Sequence, residues 1–420
     1  MSFVINAFRE LTKKDKDFAN RAEATSDIMY PTGFPSFDAI NGYVAEGKDP
    51  KTGEIYKYFN IGICDGSINL VIARAGAGKS TFCTQAGPNI IRRFKNGAVF
   101  EENIESGMLA QRRMQLAQFT EAEMKERYII RNAGITIENF FKRVKAIHDL
   151  KIAHADELMY DTGLHDIYGN PIKKLEPTVV LLDSLAMIST AKVADGEELG
   201  GQMSQTAAAK AIAATLRALV PACKEANIIM FIINHITEKV EINPMAHSKS
   251  KTIYLNANET LPRGVTPIYV ANNVIRIDDG NKLKPTEGFG INGAIAKFSL
   301  VKSRSARANA FTNLVFDQNN GFDPDISMIQ FMKDNDMLNG AGTYYFGDRT
   351  DLKFMQKNFK AKLKENEEFR KVFEEYSIEC ITKYIAAPKK YGDCGYSVDG
   401  ILDQISGQKV QDAPVEQIEA

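Results

Sequence analysis

The chain has 420 residues, of which 44% are hydrophobic and 25% charged, and its formal net charge at pH 7 is −1. It is long enough to bury one large core with a smaller appendage, and because it has no overall basic charge, any nucleic-acid-binding surface has to be local. Five scattered cysteines without a C-x-x-C pair argue against a disulfide framework or a zinc site and favour reduced thiols in a cytosol.

The beginning of the chain predicts neither secretion nor membrane insertion. Charged residues recur from Arg9 to Lys14, where a signal peptide needs its apolar stretch. The longest apolar run, Ile228 to Ile233, has the length of a strand and is too short for a membrane span. Residues 3–22 have instead the pattern of an amphipathic helix, so we expect residues 1–30 to form a helix and a joint in a cytoplasmic protein of a bacterium or a phage-infected cell.

Residues 69–81, NLVIARAGAGKST, have the pattern of a nucleotide-binding phosphate loop, in which an apolar strand enters a turn of small residues and GKST opens a helix. Backbone N–H groups of such a turn cradle phosphates, Lys79 reaches the terminal phosphates and Ser80 ligands magnesium. Ala73 replaces the first glycine of the template, which a strand end tolerates while Gly76 and Gly78 keep the turn open. The candidate ATP-binding residues are Arg74, Ala75, Gly76, Ala77, Gly78, Lys79, Ser80 and Thr81.

Beyond this loop, helical and strand-like patterns alternate. The predicted helices are 81–94, 106–119, 138–150 and 205–226, and the predicted strands are 97–103, 128–131, 178–183, 228–234, 273–277, 294–302 and 311–317. Near-continuous Val/Ile/Leu strands between helices predict an α/β fold whose twisted, mostly parallel sheet has helices on both faces. Short links between the later strands predict an antiparallel extension. We expect this core to cover residues 31–320.

Two segments of the core, 47–58 and 154–177, look like insertions because they are rich in turn residues. Lys51-Thr52-Gly53 and Tyr168-Gly169-Asn170 predict a hairpin in each. The pattern becomes helical again at 325–338 and 353–376, which predicts a small helical C-terminal region over 321–408. The polar tail 409–420 is expected to be disordered.

Acidic side chains follow two of the predicted buried strands. Asp183 closes TVVLLD, and an acid at the carboxyl end of a parallel strand can hold magnesium through water. Glu105 follows AVFEEN, and a carboxylate beside the phosphate loop can orient the attacking water. Glu101 and Glu102 compete for that role, and because strand alternation puts them on opposite faces, the residues alone leave the choice open.

Basic and polar residues end two further strands. His235 follows IIMFIIN, where it is either a satisfied core histidine or a sensor of the γ-phosphate. Lys302 and Arg304 end AKFSLVKSR, where cations form either a solvated strand end or a contact with a neighbour's nucleotide.

Taken in order, these motifs resemble those of the RecA-type strand-exchange recombinases, most closely the phage UvsX branch, over about residues 30–376. The resembling strings are PTGFPSFDAINGY, VVLLDSLAMIS, DGEELGGQMSQTAAAKAIAATLRAL, MFIINHI, PIYVANNVIRI and LVKSRSARANAFTNLVFDQNNGFDP. The resemblance implies a RecA-type phosphate-loop ATPase core, ATP and Mg²⁺ as cofactors, and helical homo-oligomeric filaments on single-stranded DNA that pair with homologous duplex DNA. It also implies a single-strand-binding protein and a loading mediator as partners, and an N-terminal helix that contacts the next subunit.

The resemblance also implies roles for single residues. Glu105 matches the family's water-activating glutamate, beside Lys79 and the sensor His235, while Ser80 and Asp183 match the magnesium site. Lys302 and Arg304 match two cations that reach the ATP of the adjacent subunit. The chain departs from the family pattern at Ala73, in the insertion 154–177 and in lacking an adenine-stacking aromatic residue at 108–116.

Two loops, 190–205 and 237–263, match the segments that hold single-stranded DNA in this family. Lys249, Lys251, Tyr254 and Arg263 of the second loop are the candidate DNA contacts, because cations bind phosphates and an aromatic ring stacks on bases. Acidic residues in the same loop weaken this interpretation.

Two other functions compete with that of a recombinase. The first is a hexameric replicative helicase of the DnaB type, because AVFEENIESGMLAQRRM also resembles the segment around that family's catalytic glutamate. Only about 30 residues precede the predicted core, where that family has a separate helical domain, and GFDPDISMIQFM fits the recombinases better. The second is a non-catalytic ATP-dependent recombination mediator or structural coat. The joint presence of Lys79, Glu105, Asp183, Lys302 and Arg304 favours an active ATPase instead.

Overall fold

The computed structural model describes residues 27–196, 202–238, 254–256, 258–286 and 288–385. The predicted N-terminal helix, the tail 409–420, Lys249 and Lys251 lie outside these residues. The strands are β1 Met29–Tyr30, β2 Gly42–Lys48, β3 Ile55–Ile61, β4 Ile63–Cys64, β5 Ile68–Ala73, β6 Ala98–Asn103, β7 Tyr128–Arg131, β8 Met159–His165, β9 Pro171–Leu175, β10 Thr178–Asp183, β11 Ile228–His235, β12 Thr237–Glu238, β13 Glu259–Thr260, β14 Asn273–Leu283, β15 Gly293–Ser303, β16 Phe311–Asp317, β17 Gly321–Asp323, β18 Asn339–Ala341 and β19 Thr343–Tyr345. The helices are α1 Pro35–Ile40, α2 Lys79–Ile91, α3 Ala110–Ala117, α4 Glu121–Arg127, α5 Ile137–Ala153, α6 Ala155–Leu158, α7 Ala191–Ala194, α8 Gln202–Glu225, α9 Thr266–Val270, α10 Pro324–Asp334, α11 Phe359–Glu365 and α12 Glu367–Ile385. None of the helices in these ranges is both long and apolar enough to cross a membrane.

Nine strands form the central sheet in the order β17-β16-β15-β14-β5-β11-β10-β6-β7. The six strands from β14 to β7 are parallel, and β15, β16 and β17 extend the sheet in antiparallel fashion. Every residue of β5 and β10 is buried, as expected for parallel strands that helices cover on both faces. The predicted α/β fold with a mostly parallel sheet and an antiparallel extension is therefore confirmed.

Alternate side chains of these strands build one hydrophobic core on each face of the sheet. Val71 belongs to the core that contains Phe82 of α2, whereas its neighbour Leu70 belongs to the core that contains Phe140 of α5 and Leu216 of α8. The strand period of two residues thus fixes which helices lie on which face.

The strand connections reverse direction at the centre of the sheet. After β5 the chain crosses to β6, which lies beyond β11 and β10 on one side of β5. After β11 the next strand of this sheet is β14, which lies on the other side of β5. In open α/β sheets, ligands bind outside the carboxyl ends of the strands at such a reversal. We call this side of the sheet the carboxyl edge; here residues 74–80 follow β5, and Asp183 and His235 end β10 and β11. The opposite side, where β5 and β14 begin, is the amino edge.

Both predicted insertions contain antiparallel hairpins, formed by β2 with β3 and by β8 with β9. The hairpins brace each other, because the amide of Lys48 donates to the carbonyl of Asp166 at 3.0 Å and the amide of His165 donates to the hydroxyl of Tyr56 at 2.8 Å. The two turn signals therefore predicted the local structure, and the pairing between the hairpins is a tertiary feature.

The chain beyond residue 320 continues the same sheet. β17 pairs with β16, so the predicted boundary at 320/321 falls between two paired strands. The predicted helix over 353–376 is instead α11 and part of α12, separated at Asn366, and the hairpin β18–β19 precedes it. Aromatic rings in tilted and edge-to-face contacts around Phe346 and Phe359 join these elements, and the described residues up to Ile385 belong to one compact unit.

Candidate active site

The predicted phosphate loop, residues 74–78, turns tightly between β5 and α2. Gly76 and Gly78 have φ angles of +81° and +90°, which L side chains rarely adopt. Gly78 is also limited by space, because a Cβ atom there would lie 2.8 Å from Cζ of Phe322. Ala73 is paired with neighbouring strands on both sides and needs no glycine.

Lys79 begins α2, and its side chain folds back over the loop. Its Nζ donates to the carbonyl oxygens of Ala73 at 3.2 Å and of Arg74 at 2.8 Å, and the residue is only 5% exposed. Burial lowers the pKa of Lys79, although the charges of Asp183 and Glu105 oppose this shift. Within the described chain the ammonium donates to carbonyl groups and forms no direct ion pair, so an anionic ligand at the loop would supply a counter-charge in contact with it.

Ser80 and Asp183 lie beside Lys79. The Ser80 hydroxyl donates to Oδ2 of Asp183 at 2.5 Å, whereas Oδ1 is buried and has no hydrogen-bond partner among the described residues. Burial raises the pKa of Asp183 to about 6. A hard cation with oxygen ligands would relieve this desolvated carboxylate, so the two residues fit a magnesium ion.

Glu105 follows β6 and contacts two other strand ends. Its Oε1 accepts a hydrogen bond from the Ser184 hydroxyl and lies 2.6 Å from Nε2 of His235. Burial opposes ionisation of Glu105, but these two contacts outweigh it, and the pKa of the carboxyl group lies below its usual value. Because the side chain is 33% exposed, Glu105 is an ionised acid within reach of water. Ser184 was not predicted, although it directly follows the strand-end acid.

The two glutamates that competed with Glu105 are engaged in ion pairs. Glu101 accepts from two nitrogens of Arg113, each at 2.8 Å, and from the Tyr128 hydroxyl at 2.7 Å. Glu102, on the opposite face of β6, forms a two-point ion pair with Arg143. The structure therefore brings Glu105, and neither of the other two, into contact with further predicted site residues.

Lys302 and Arg304 lie at the amino edge, away from the predicted phosphate loop of their own chain. β15 runs antiparallel to β14, so the end of β15 lies beside the beginning of β14. Lys302 accordingly pairs with Val274, and the amide of Arg304 donates to the carbonyl of Asn272. This is the level at which β5 begins, about 13 Å along the strand from its carboxyl end.

The two cations have different surroundings. Nζ of Lys302 donates to the carbonyls of Ile268, Tyr269 and Ala271 at 2.7, 3.0 and 2.7 Å, so it satisfies free carbonyls at the end of α9. Burial and the nearby Arg304 lower the pKa of Lys302 to about 8. Arg304 is exposed and donates to the Tyr269 carbonyl at 3.0 Å. Lys302 therefore has a structural role that the sequence did not indicate.

Two of the four predicted DNA contacts can be located. Tyr254 is half-buried and packs against the hydrophobic core beneath α8. Arg263 has a φ of +67°, and its Nε donates to the carbonyl of Ala186 at 3.2 Å. Arg263 thus links the second predicted DNA loop to the segment that follows Asp183.

A cavity of about 280 Å³ adjoins the predicted phosphate loop and was not itself predicted. It is lined by the loop glycines and by Asp279, Lys282, Phe316 and Phe322, and residues 108–116 take no part in it. The sequence DDGN at 278–281 looks like a turn that ends the strand, whereas β14 continues to Leu283 by pairing with β15. That extra length brings Asp279 and Lys282 beside the loop.

At the amino edge, Asp27, Cys64 and Asp65 approach one another as metal ligands do. Lys174 and Lys224 bind the Asp65 carboxylate at 2.6 and 2.9 Å, and Lys224 also binds Asp27 at 2.6 Å. These ammonium groups already neutralise the acids, so we interpret the group as an ion-pair network.

Comparison of this chain with the models of known protein families and with the curated proteins gave no match.

Proposed function

We propose that the chain is an ATP-dependent DNA recombinase that forms filaments on single-stranded DNA and promotes homologous pairing and strand exchange. The observation that carries the proposal is the convergence of Lys79, Ser80, Asp183, Glu105 and His235 at the carboxyl edge. A phosphate loop, a buried acid suited to magnesium and a water-accessible ionised carboxylate are the parts that hydrolysis of a nucleoside triphosphate requires.

Each residue has a distinct part in the proposed reaction. The backbone N–H groups of the loop and the Lys79 ammonium bind the phosphates, and the base enters the cavity beside Phe316. Magnesium held by Ser80 and Asp183 would neutralise charge on the phosphate oxygens. The Glu105 carboxylate accepts a proton from the attacking water, while Ser184 and His235 hold it in position.

The position of Lys302 and Arg304 supports a catalytic site shared between subunits. Both cations lie at the amino edge, so neither reaches the phosphate loop of its own chain. If copies of the chain stack with the amino edge of one against the carboxyl edge of the next, the exposed Arg304 faces the neighbour's phosphates. Such head-to-tail contacts generate helical filaments when the rotation does not close.

Mixing two inactive variants on single-stranded DNA tests the shared site. Lys79→Ala removes the phosphate-binding lysine, and Arg304→Ala removes the exposed cation while leaving the contacts of Lys302 with α9 in place. A cation supplied to the phosphates from a neighbour is expected to contribute roughly 10³-fold to turnover. Interfaces that pair an intact loop with an intact Arg304 should restore part of the ATPase activity. The shared site is wrong if the mixture stays inactive although both variants enter one assembly.

Electron microscopy on single-stranded DNA with a non-hydrolysable ATP analogue separates the candidate functions. A recombinase gives helical filaments that pair homologous duplex DNA once ATP is supplied. A closed ring would favour the replicative helicase instead. Filaments that neither hydrolyse ATP nor pair duplex DNA would favour the structural coat.

A further inference from the structure

Arg74, the first residue of the phosphate loop, is paired with a residue from a different part of the chain. Its Nη2 lies 3.1 Å from Oε1 of Glu238, and the two side chains are 58% and 65% exposed. Glu238 ends β12, which begins two residues after β11 and pairs with β13. We call β12 and β13 the stem, because they close the loop that holds the predicted DNA contacts Lys249 and Lys251.

The two strands of the stem are anchored differently. In β13, Glu259 is 2% exposed and accepts from two nitrogens of Arg276, at 2.7 and 3.0 Å, which fixes this strand to β14. In β12, Glu238 forms an ion pair with Arg74, and among the described residues this strand has no other ion pair. Only this second anchor depends on the phosphate loop.

The loop lysine is connected to the same residue. Nζ of Lys79 donates to the backbone carbonyl of Arg74 at 2.8 Å. A phosphate that draws the ammonium towards itself would break this hydrogen bond, and Arg74 and Lys79 would then face the same anionic ligand.

We propose that Arg74 is a positioning residue that exchanges Glu238 for the phosphates of a bound nucleoside triphosphate and so couples occupancy of the loop to the stem. The inference rests on the proposed nucleotide binding. A guanidinium group binds phosphate oxygens in a two-point geometry, whereas an exposed ion pair contributes little, so the exchange favours the phosphate. By linkage, Glu238 weakens triphosphate binding by the same factor by which the triphosphate weakens the Arg74–Glu238 pair.

The first test is the affinity for a fluorescent ATP analogue at low salt. Glu238→Gln should tighten binding by about 1.5- to 5-fold, which corresponds to the contribution of an exposed ion pair. The gain should disappear near 1 M salt, where the screening length falls to about 3 Å. Glu121→Gln, which removes the same charge from an exposed position on α4, is the matched control and should change nothing.

A double-mutant cycle separates the proposed exchange from a general loss of negative charge. In an Arg74→Gln background, Glu238→Gln should no longer tighten binding, whereas Arg74→Lys should keep part of the response. Equal tightening in the Arg74→Gln background, or none at low salt in the unmodified background, overturns the role of Arg74. Absence of ATP binding by the unmodified chain would instead remove the proposed function together with this inference.

Hydrogen exchange of the stem amides measures the other end of the coupling. ATP should accelerate exchange in β12 of the unmodified protein but leave β14, to which Glu259 anchors the stem, unchanged. In Glu238→Gln, β12 should exchange rapidly even without ATP. If β12 exchanges equally in the unmodified protein and in Glu238→Gln, each with and without ATP, the stem does not respond to the loop.

Discussion

The two edges of the central sheet satisfy their buried charges in different ways. At the carboxyl edge, Oδ1 of Asp183 has no hydrogen-bond partner among the described residues. At the amino edge, Asp65 binds two lysines, and the ammonium of Lys151 donates to the Glu176 carbonyl, the Thr178 hydroxyl and the Asn227 carbonyl. Because an incompletely satisfied buried polar group destabilises the fold, the carboxyl edge carries a cost that a ligand can offset. Satisfaction of the charged groups, rather than their burial, therefore distinguishes a candidate ligand site from a structural network in this sheet.

The largest expected effect is the loss of ATP turnover on substitution of Glu105, which is more exposed than Asp183 at the carboxyl edge. Glu105→Gln should reduce ATP turnover by roughly 10²-fold or more and leave ATP-dependent DNA binding largely intact, since a general base acts on the barrier rather than on affinity. Steady-state hydrolysis and DNA binding by the same preparation check this. Glu102→Gln, which breaks the ion pair with Arg143, should lower the melting temperature instead. Near-normal turnover in Glu105→Gln combined with a loss in Glu102→Gln would assign the base to Glu102.

The next largest effect concerns Asp183, whose Oδ1 has no hydrogen-bond partner among the described residues. Asp183→Asn should weaken magnesium-dependent ATP binding by at least about 10-fold, comparable to the loss when a supporting group of a metal site is removed. Titration of ATP with and without a chelator measures the magnesium-dependent part. Asp65→Asn, at the amino edge, should leave that part unchanged. An equal loss of magnesium-dependent ATP binding in both variants would contradict the assignment of the ligand site to the carboxyl edge.

At the amino edge, Lys151 predicts a pH dependence of stability. Burial lowers the pKa of Lys151 to about 7 from an ordinary value near 10.5. Between these values the folded chain binds fewer protons than the unfolded chain, so the free energy of unfolding should rise with pH by up to about 1.4 kcal/mol per unit and level off below pH 7. Denaturant unfolding from pH 7 to 10 measures this slope.

Lys151→Met should remove that contribution, because methionine fills similar volume without a titrating group. Lys142→Met, an exposed lysine of the same helix, is the control and should retain the slope of the unmodified protein. If Lys151→Met retains it as well, the buried ammonium is not the titrating group.

The smallest expected effect is on the salt dependence of DNA binding. Each lost phosphate contact should lower the log–log slope of single-strand affinity against salt by about 0.7. Substituting Lys249, Lys251 and Arg263 with glutamine should flatten the slope. Since burial lowers the pKa of Arg263 and its Nε binds a carbonyl, we expect the two lysines to account for most of the change. An unchanged slope would place the DNA site outside this loop.

Local patterns predicted much of the fold, because hydrophobic runs and turn residues act over a few positions. The strand TVVLLD, the loop before Lys79 and both hairpins are of this kind. The length of β14 was not predictable, since DDGN favours a turn and only pairing with β15 keeps it extended. The helix-capping contacts of Lys302 likewise depend on carbonyls more than 30 positions away.

The candidate site shows the same division. The sequence placed Asp183 and Glu105 at strand ends, but it could not separate Glu105 from Glu101 and Glu102. That separation depends on Arg113 and Arg143, which come from two different helices. The resemblance to recombinases named Glu105, and the ion pairs supply a physical reason for that choice.

The contact between Gln85 and Phe322 has a consequence for the order in which the protein is made. Gln85 of α2 donates to the carbonyl of Phe322 at 3.0 Å and accepts from its amide at 2.9 Å, across 237 positions of the chain. At a synthesis rate of about 5 to 20 residues per second, those positions take a ribosome about 10 to 50 s. For that time the nascent chain presents α2 and the glycine turn without the strand that packs against Gly78. The segment that starts the proposed ATP site is thus completed only by the last strand of the sheet to emerge.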